Sequence, residues 1–316
     1  MKTLLSSSTT SRQRTQKKQR AHYMLTMHLM PYLLVLPAIL FIGVLVIYPL
    51  LFSIFSSVHV DDLLYPALHK FVGVQNYINV LSDPSFQIAA RNTVFYFIFT
   101  SLGVFLFGIV IALWLHNLPH KWRGVFLTVV ILPWAVPGVV TGLLWSFIYN
   151  PTSGLLDGLL KSLHIISQNI IWFNDPRLPN LGLFLITLAL LWQVVPLATI
   201  IFVAGLESIP TTIYEAARVD GCHSWHLFSH ITLPLLRPSI AIVMVQAAVL
   251  SIGIFDQVYV LTGYDASTKS AVIQTYLYAF QNLNFGQGIS AALLVTLSIS
   301  IVGYIYLRFI YREVSY

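Results

Sequence analysis

Long apolar runs recur from one end of this chain to the other and constrain its fold more than any other feature. A transmembrane α-helix needs about 20 consecutive, mostly apolar residues. The sequence is 57% hydrophobic and only 9% charged, whereas soluble domains carry about 25% charged residues. Because so few charges cannot cover a soluble surface, the composition predicts an all-α membrane protein.

Six segments are long and apolar enough to cross a bilayer. They cover residues 32–56, 92–116, 124–149, 181–205, 239–261 and 287–310. The first is too long for the apolar core of a signal peptide, which has about 7–15 residues. We therefore expect a disordered basic cytoplasmic tail over residues 1–30 and one transmembrane domain over residues 31–316.

Basic residues orient these spans, since cytoplasmic loops carry an excess of Lys and Arg. With the N-terminus inside, 12 of the 17 basic residues lie on the inner side: Lys2, Arg12, Arg14, Lys17, Lys18, Arg20, Lys121, Arg123, Arg218, Arg237, Arg308 and Arg312. The remaining five lie outside. Both termini are thus predicted to be cytoplasmic, and the net charge of +6 is a topology signal rather than a nucleic-acid-binding surface.

Motifs for other functions are missing from the sequence. The single cysteine, Cys222, excludes an internal disulfide. The sequence contains no phosphate loop ending in Gly-Lys-Ser/Thr, no nucleophile elbow and no zinc-protease motif. We therefore predict that the chain is not an enzyme and holds no cofactor itself.

The longest inner loop, residues 206–238, contains signals for a short helix. Thr212 and Glu215 form a capping-box pattern that starts it. Earlier starts stay open, at Ser208 and Pro210. Gly221 suits the left-handed position that ends it. Because so short a helix is marginal in water, it needs a tertiary or partner contact.

A second helical stretch, residues 222–232, is predicted to end at Pro234. Its histidines share one helical face, at His223, His226 and His230. Such a cluster is compatible with a metal site. No carboxylate accompanies it, so a polar face on the loop is the default interpretation and no metal is predicted.

The spacing of this loop resembles the EAA motif of permease subunits in binding-protein-dependent ABC importers. The matching residues are Glu215, Ala216, Ala217, Gly221, Ile231, Leu233 and Pro234. The resemblance implies a type I ABC importer permease fold and a loop that couples to an ATPase subunit. The coupling residues it implies are Glu215, Ala216, Ala217, Asp220 and Gly221.

Further segments resemble carbohydrate permeases of the maltose/glycerol-phosphate type. They are Phe71-Val72-Gly73, Asn76-Tyr77, Arg91-Asn92-Thr93, Leu132-Pro133-Trp134, Trp145, Gly154-Leu155-Leu156, Phe255-Asp256 and Leu261-Thr262-Gly263. The chain departs from the family's usual Gly-Gly-Pro after Leu-Thr, having Gly263-Tyr264-Asp265 instead.

The resemblance also implies partners and a location. The partners are a second permease subunit in a heterodimer, two ATPase subunits that hold ATP and Mg, an extracytoplasmic substrate-binding protein, a carbohydrate and membrane lipid, with no nucleic acid. The location is the cytoplasmic membrane of a prokaryote. An ion-gradient-driven transporter or a channel is the alternative, but it would predict repeated halves or several intramembrane carboxylates.

Substrate residues are expected near mid-membrane, on the spans that flank the EAA loop. By resemblance they are Gln193, Val194, Leu197, Ala247, Leu250, Ser251, Ile254 and Asp256. Gln193 and Ser251 are the polar candidates, although such residues often join neighbouring helices instead. Asp256 is open to three interpretations: substrate ligand, hydrated carboxylate or partner of an arginine.

Overall fold

The computed structural model describes residues 30–60, 70–173, 178 and 180–311. The tail predicted over residues 1–30 lies almost entirely outside this range. Two compact units are present, one ending at Ser56 and the other beginning at Ser57. The described part is almost entirely helical, as the apolar runs predict.

The first unit contains all but the last residue of the apolar helix α1, which spans Met30–Ser57. One turn of this helix, Gly43–Ile47, is π-helical. The helix has 28 residues, which at about 1.5 Å per residue is enough to cross a hydrocarbon core of about 30 Å.

The second unit contains the remaining helices. They are α2 (Gln75–Ser82), α3 (Pro84–His116), α4 (His120–Ile131), α5 (Gly138–Ile148), α6 (Leu155–Ser162), α7 (Leu181–Glu207), α8 (Thr211–Val219), α9 (Ser224–Leu227), α10 (Arg237–Ile252), α11 (Asp256–Thr262), α12 (Ala271–Tyr276) and α13 (Phe285–Phe309).

Five of the predicted spans are each one candidate membrane span in the described residues, the fifth being made of α10 and α11 in succession, and the third differs from its prediction. The five candidate spans are Met30–Ser57, Pro84–His116, Leu181–Glu207, Arg237–Thr262 and Phe285–Phe309. The third segment is two helical pieces bent by 94°. Pro133 and Pro137 flank this bend, and proline removes the backbone donor that a continuous helix requires.

Helices α3 and α7 pack most closely in the core of the second unit. At Gly103 a Cβ would lie 2.6 Å from the Leu191 side chain, and at Gly108 it would lie 3.1 Å from Phe202. Small residues let two helix backbones approach in a lipid environment. This pair therefore forms the frame against which the cavity-forming elements rest.

Polar contacts at the two ends of the bundle agree with the predicted topology. On the inner side, Arg123 forms an ion pair with Glu207 and donates to the His116 carbonyl at 2.6 Å. On the outer side, Tyr96 Oη donates to the Thr268 carbonyl at 2.7 Å. Residues assigned to the same side of the membrane thus lie together.

Candidate functional site

The bend between α4 and α5 forms one wall of a cavity. A short 3-10 turn, Leu132–Ala135, leads into it, and Pro137 precedes the first residue of α5. The bend leaves the carbonyl of Val136 free of the regular helical pattern. Gln193 on α7 donates to this carbonyl at 2.7 Å, which ties the bend to the core.

A second amide extends this connection to α11. Gln257 Nε2 donates to Gln193 Oε1 at 2.6 Å. Gln257 is only 5% exposed, so the loss of Gln193 would leave a buried amide without this bond. The two glutamines therefore join three chain segments that are distant in the sequence.

The cavity next to these amides has a volume of about 260 Å³. It is lined by Trp134, Gly138, Leu190, Gln193, Val194, Leu250, Gly253, Ile254, Phe255, Asp256 and Gln257. The lining thus combines apolar and aromatic walls with two amides and one carboxylate, an arrangement typical of small-molecule sites.

The structure brings five of the eight predicted substrate residues to this cavity: Gln193, Val194, Leu250, Ile254 and Asp256. The other three do not line it. Ala247 and Ser251 are fully buried, and Ser251 Oγ donates to the Ala247 carbonyl at 2.6 Å within its own helix. Leu197, one turn beyond Gln193 on α7, is also absent from the lining.

Asp256 lines the cavity, a position compatible with a substrate ligand or a hydrated carboxylate. It is the first residue of α11, and its carboxylate packs against Gly138, the first residue of α5. A helix N-terminus stabilises negative charge because its first backbone N–H groups have no partner within the helix. Among the described residues, Asp256 forms no ion pair with an arginine.

Sequence reasoning missed Trp134, Phe255 and Gln257 as cavity residues. Trp134 belongs to the Leu-Pro-Trp segment quoted above, and the other two flank Asp256. A signal was available, since Pro133 and Pro137 mark a break and broken helices line cavities in membrane proteins.

The inner loop forms the predicted short helix with a different start. Helix α8 begins at Thr211 after Pro210, and no side chain caps it. The capping box at Thr212 is therefore wrong, and the alternative start near Pro210 is the one found. Proline suits this position because it has no backbone N–H to satisfy.

The end of α8 follows the prediction in detail. Gly221 has φ +79°, and its N–H donates to the Arg218 carbonyl at 3.0 Å. The Cys222 N–H donates to the Ala217 carbonyl, also at 3.0 Å. These two bonds form a Schellman motif, in which glycine avoids the steric penalty of left-handed backbone.

One face of α8 packs on the protein and the other is open. Ile213 and Tyr214 pack against the core, and Ala217 is buried. Of the other predicted coupling residues, Glu215, Ala216, Asp220 and Gly221 are exposed. Two apolar side chains extend this open face: Val219 is 88% exposed and Trp225 is 69% exposed.

The second helical stretch starts later and ends later than predicted. It runs through α9, a π-helical turn over Phe228–Thr232 and a final turn over Leu233–Leu235. Tyr214 Oη and Thr232 Oγ1 share a hydrogen bond of 3.1 Å. This bond provides a tertiary contact of the kind that α8 requires.

Two of the three histidines of this stretch stack, and the third is tilted against one of them. The ring centroids of His226 and His230 are 3.9 Å apart, and those of His223 and His226 are 6.0 Å apart. Within the described residues no group of three or more His, Cys, Asp and Glu side chains is placed to hold a metal ion.

The outer loop after α11 is held by α3. Asn92 Nδ2 donates to the Lys269 carbonyl at 3.1 Å, and Thr93 Oγ1 accepts from the Ala271 N–H at 2.8 Å. Burial lowers the pKa of Lys269, an effect that the nearby Asp83 carboxylate opposes. The Arg-Asn-Thr segment quoted above therefore positions the loop that departs from the family pattern.

Comparison with known proteins identifies the family. Residues 104–316 match the family described as binding-protein-dependent transport system inner membrane component. The chain belongs to this family. Together with its apolar helices, this places it in the cytoplasmic membrane as a multi-pass component of a transport system.

Two curated members of the family show the extent of the similarity. The trehalose/maltose transport system permease protein MalF of Thermococcus litoralis is 34% identical over 88% of this chain and 92% of its own length. The sulfoquinovosyl glycerol transport system permease protein SmoG of Agrobacterium fabrum is 30% identical over 89% of this chain and 90% of its own length.

A solved structure shares the fold. It is a bacterial alginate ABC transporter in complex with an alginate pentasaccharide-bound periplasmic protein, and one of its chains matches with a TM-score of 0.75 at 20% identity. The match covers 92% of this chain and 95% of that chain. The predicted permease fold is thus confirmed.

Proposed function

We propose that this chain is one of two permease subunits of an ATP-driven importer for a carbohydrate, such as a di- or oligosaccharide or a glycosylated polyol. The chain binds substrate in the cavity beside Gln193 and converts the motion of an ATPase partner into a change of cavity access. ATP and Mg belong to two ATPase subunits, and an extracytoplasmic binding protein delivers the substrate.

The open face of α8 is the single observation that carries this proposal. Its exposed Glu215 and Ala216 carry the EAA pattern, while the opposite face packs through Ile213 and Tyr214. Exposed apolar area at Val219 adds to a surface suited to a protein partner. A rigid helix anchored on one side transmits force from such a partner to the adjoining spans.

The cavity supports a carbohydrate as substrate. Sugars bind through hydrogen bonds to amides and carboxylates and through contact of their apolar faces with aromatic rings. Gln193, Gln257 and Asp256 supply the polar groups, and Trp134 and Phe255 supply the rings. Among the described residues no lysine or arginine lines the cavity, which argues against a phosphorylated substrate.

Co-purification with the ATPase subunits tests the coupling role. We expect Glu215→Lys to reduce both ATPase co-purification and ATP-dependent uptake. Lys121→Glu, a charge reversal at another exposed inner position, serves as the matched control and should preserve both. An unchanged complex with unchanged uptake in Glu215→Lys would remove the coupling assignment.

Uptake by the complete transporter tests the substrate class. The sugars to be compared are those that relatives' names contain: trehalose, maltose, lactose and sulfoquinovosyl glycerol. We expect the complex in proteoliposomes, with its binding protein and ATP, to import at least one of these four. Import of none of them, by a complex that hydrolyses ATP, contradicts the carbohydrate assignment.

A further inference from the structure

Six aromatic side chains form one connected set of ring contacts that reaches from the cavity to the outer loops: four of them close a cluster, and two extend it. The six are Phe255, Tyr259, Tyr264, Tyr276, Phe280 and Phe285, and we call them the aromatic track. Successive ring centroids are between 5.1 and 6.2 Å apart, with Tyr276–Phe280 the shortest and Tyr264–Tyr276 the longest separation. The track begins inside the cavity, since Phe255 is part of the cavity lining.

The track is assembled from consecutive elements between residues 255 and 285. Tyr259 lies on α11, Tyr264 in the following loop and Tyr276 at the end of α12. Phe285 is the first residue of α13. Asn92 donates to the Lys269 carbonyl in the loop before α12, and Thr93 accepts from the N–H of Ala271, the first residue of α12, so both bonds fix the start of the helix that carries Tyr276.

Two rings of the track are exposed, while Phe255 and Tyr264 also pack against the core. Phe280 is 59% exposed and Tyr259 is 44% exposed, while the other four rings are partly exposed. Phe255 also contacts Tyr276 directly, at 5.7 Å, so the exposed rings connect to the cavity without a gap. A packed core would bury these rings, and isolated interface anchors would not continue into a cavity.

We propose that the aromatic track is a guiding site for the substrate, on which the apolar faces of pyranose rings stack as a sugar moves from the binding protein to the cavity. This inference rests on the proposed carbohydrate function. Three of the six residues are tyrosines, whose hydroxyls pair with sugar hydroxyls while their rings supply flat apolar area.

Overlapping weak sites suit this role physically. Each stacked ring contributes modestly, so no single position holds the sugar tightly. Neighbouring positions let the sugar exchange one ring for the next without returning to full hydration. The continuity of the track at Phe255 then delivers the sugar directly to the amides of Gln193 and Gln257.

Uptake kinetics of the complete transporter in proteoliposomes test this inference with whichever of the four sugars the wild type imports. We expect Tyr276→Ala and Phe280→Ala to raise KM about three- to tenfold, the size that an aromatic contact predicts, with little change in maximal rate. Tyr276→Phe, which keeps the ring, should restore most of the loss. Tyr304→Ala removes an aromatic residue that is 67% exposed elsewhere and should leave KM unchanged.

Three results would overturn the proposal. KM could remain at the wild-type value in both alanine variants. The second permease subunit could be lost on purification, which would make the track a subunit interface. ATPase stimulation by the sugar-free binding protein could fall, which would make it a protein-docking surface.

Failure of the proposed carbohydrate function gives a different result. In that case the wild-type complex imports none of the four sugars, and the guiding role of the aromatic track is rejected together with the carbohydrate function. Phe280 is the safer variant for folding, because its side chain is mostly exposed. A misfolded Tyr276→Ala therefore leaves the test intact.

Discussion

Gln257 on α11 donates a hydrogen bond of 2.6 Å to Gln193 on α7, and Gln193 in turn donates to the Val136 carbonyl at the bend of the third span. These two bonds explain why the otherwise apolar helix α7 carries an amide at its centre. Because of them, Gln193 is both a cavity residue and the connection between three chain segments.

The first prediction concerns this pair. Gln257→Ala leaves the Oε1 of half-buried Gln193 without its donor, at a cost of about 1 kcal/mol, the net contribution of a typical hydrogen bond. We expect lower sugar uptake in proteoliposomes and a lower thermal midpoint of the purified complex. The double variant Gln193→Ala/Gln257→Ala should lose less stability than the sum of the losses in the two single variants, since the two side chains share one interaction.

Ser251→Ala is the control for that experiment. Its hydroxyl bonds only within its own helix and lies outside the cavity, so uptake should stay near the wild-type rate. A strong loss of uptake in Ser251→Ala, with Gln257→Ala unaffected, would contradict the cavity as placed here.

The second prediction concerns the contact between α5 and α11. Any side chain at Gly138 collides with the Asp256 carboxylate, and a Cβ at Gly142 would lie 2.7 Å from Val260. Forcing extra atoms into such a contact costs about 1–3 kcal/mol. Gly138→Ala should therefore lower the thermal midpoint measured by fluorescence in detergent.

Gly303→Ala is the matched change, because nothing lies within 4 Å of a Cβ there. Alanine favours a helix over glycine by up to about 1 kcal/mol. This variant should match or exceed the wild-type midpoint. Equal effects of the two substitutions would argue against close packing at Gly138.

The third prediction concerns the outer loop. Thr93→Val removes the acceptor of the Ala271 N–H and should destabilise the protein by about 1–3 kcal/mol. Thr100→Val, in the same helix and equally buried, removes a hydroxyl for which the described residues provide no partner. That change should be neutral or stabilising, and limited proteolysis of the outer loop distinguishes the two variants.

The fourth prediction concerns the end of α8. At the φ of +79° of Gly221, a β-branched residue is strongly strained, whereas asparagine is tolerated. Gly221→Val should reduce ATP-dependent sugar uptake and ATPase co-purification, and Gly221→Asn should retain most of both. Similar behaviour of the two variants would show that this backbone geometry does not matter for coupling.

Local rules explain what was predictable in this chain. The positions of the spans follow from apolar length, and the end of α8 follows from the preference of glycine for left-handed backbone at Gly221. The start of α8 was less predictable, since Pro210 and Thr212 offered competing signals. Tertiary packing of Ile213 and Tyr214 accompanies the earlier start.

The sequence by itself determined the membrane class, the number and orientation of the apolar segments and the pattern of the coupling loop, because each of these depends on composition or on residues close together in the chain. Only the tertiary structure decided that Gln193 bonds the Val136 carbonyl at the bend, that Gln257 bonds Gln193 and that Asp256 packs against Gly138. These features depend on contacts between segments 57 to 118 residues apart, and no local propensity encodes such contacts.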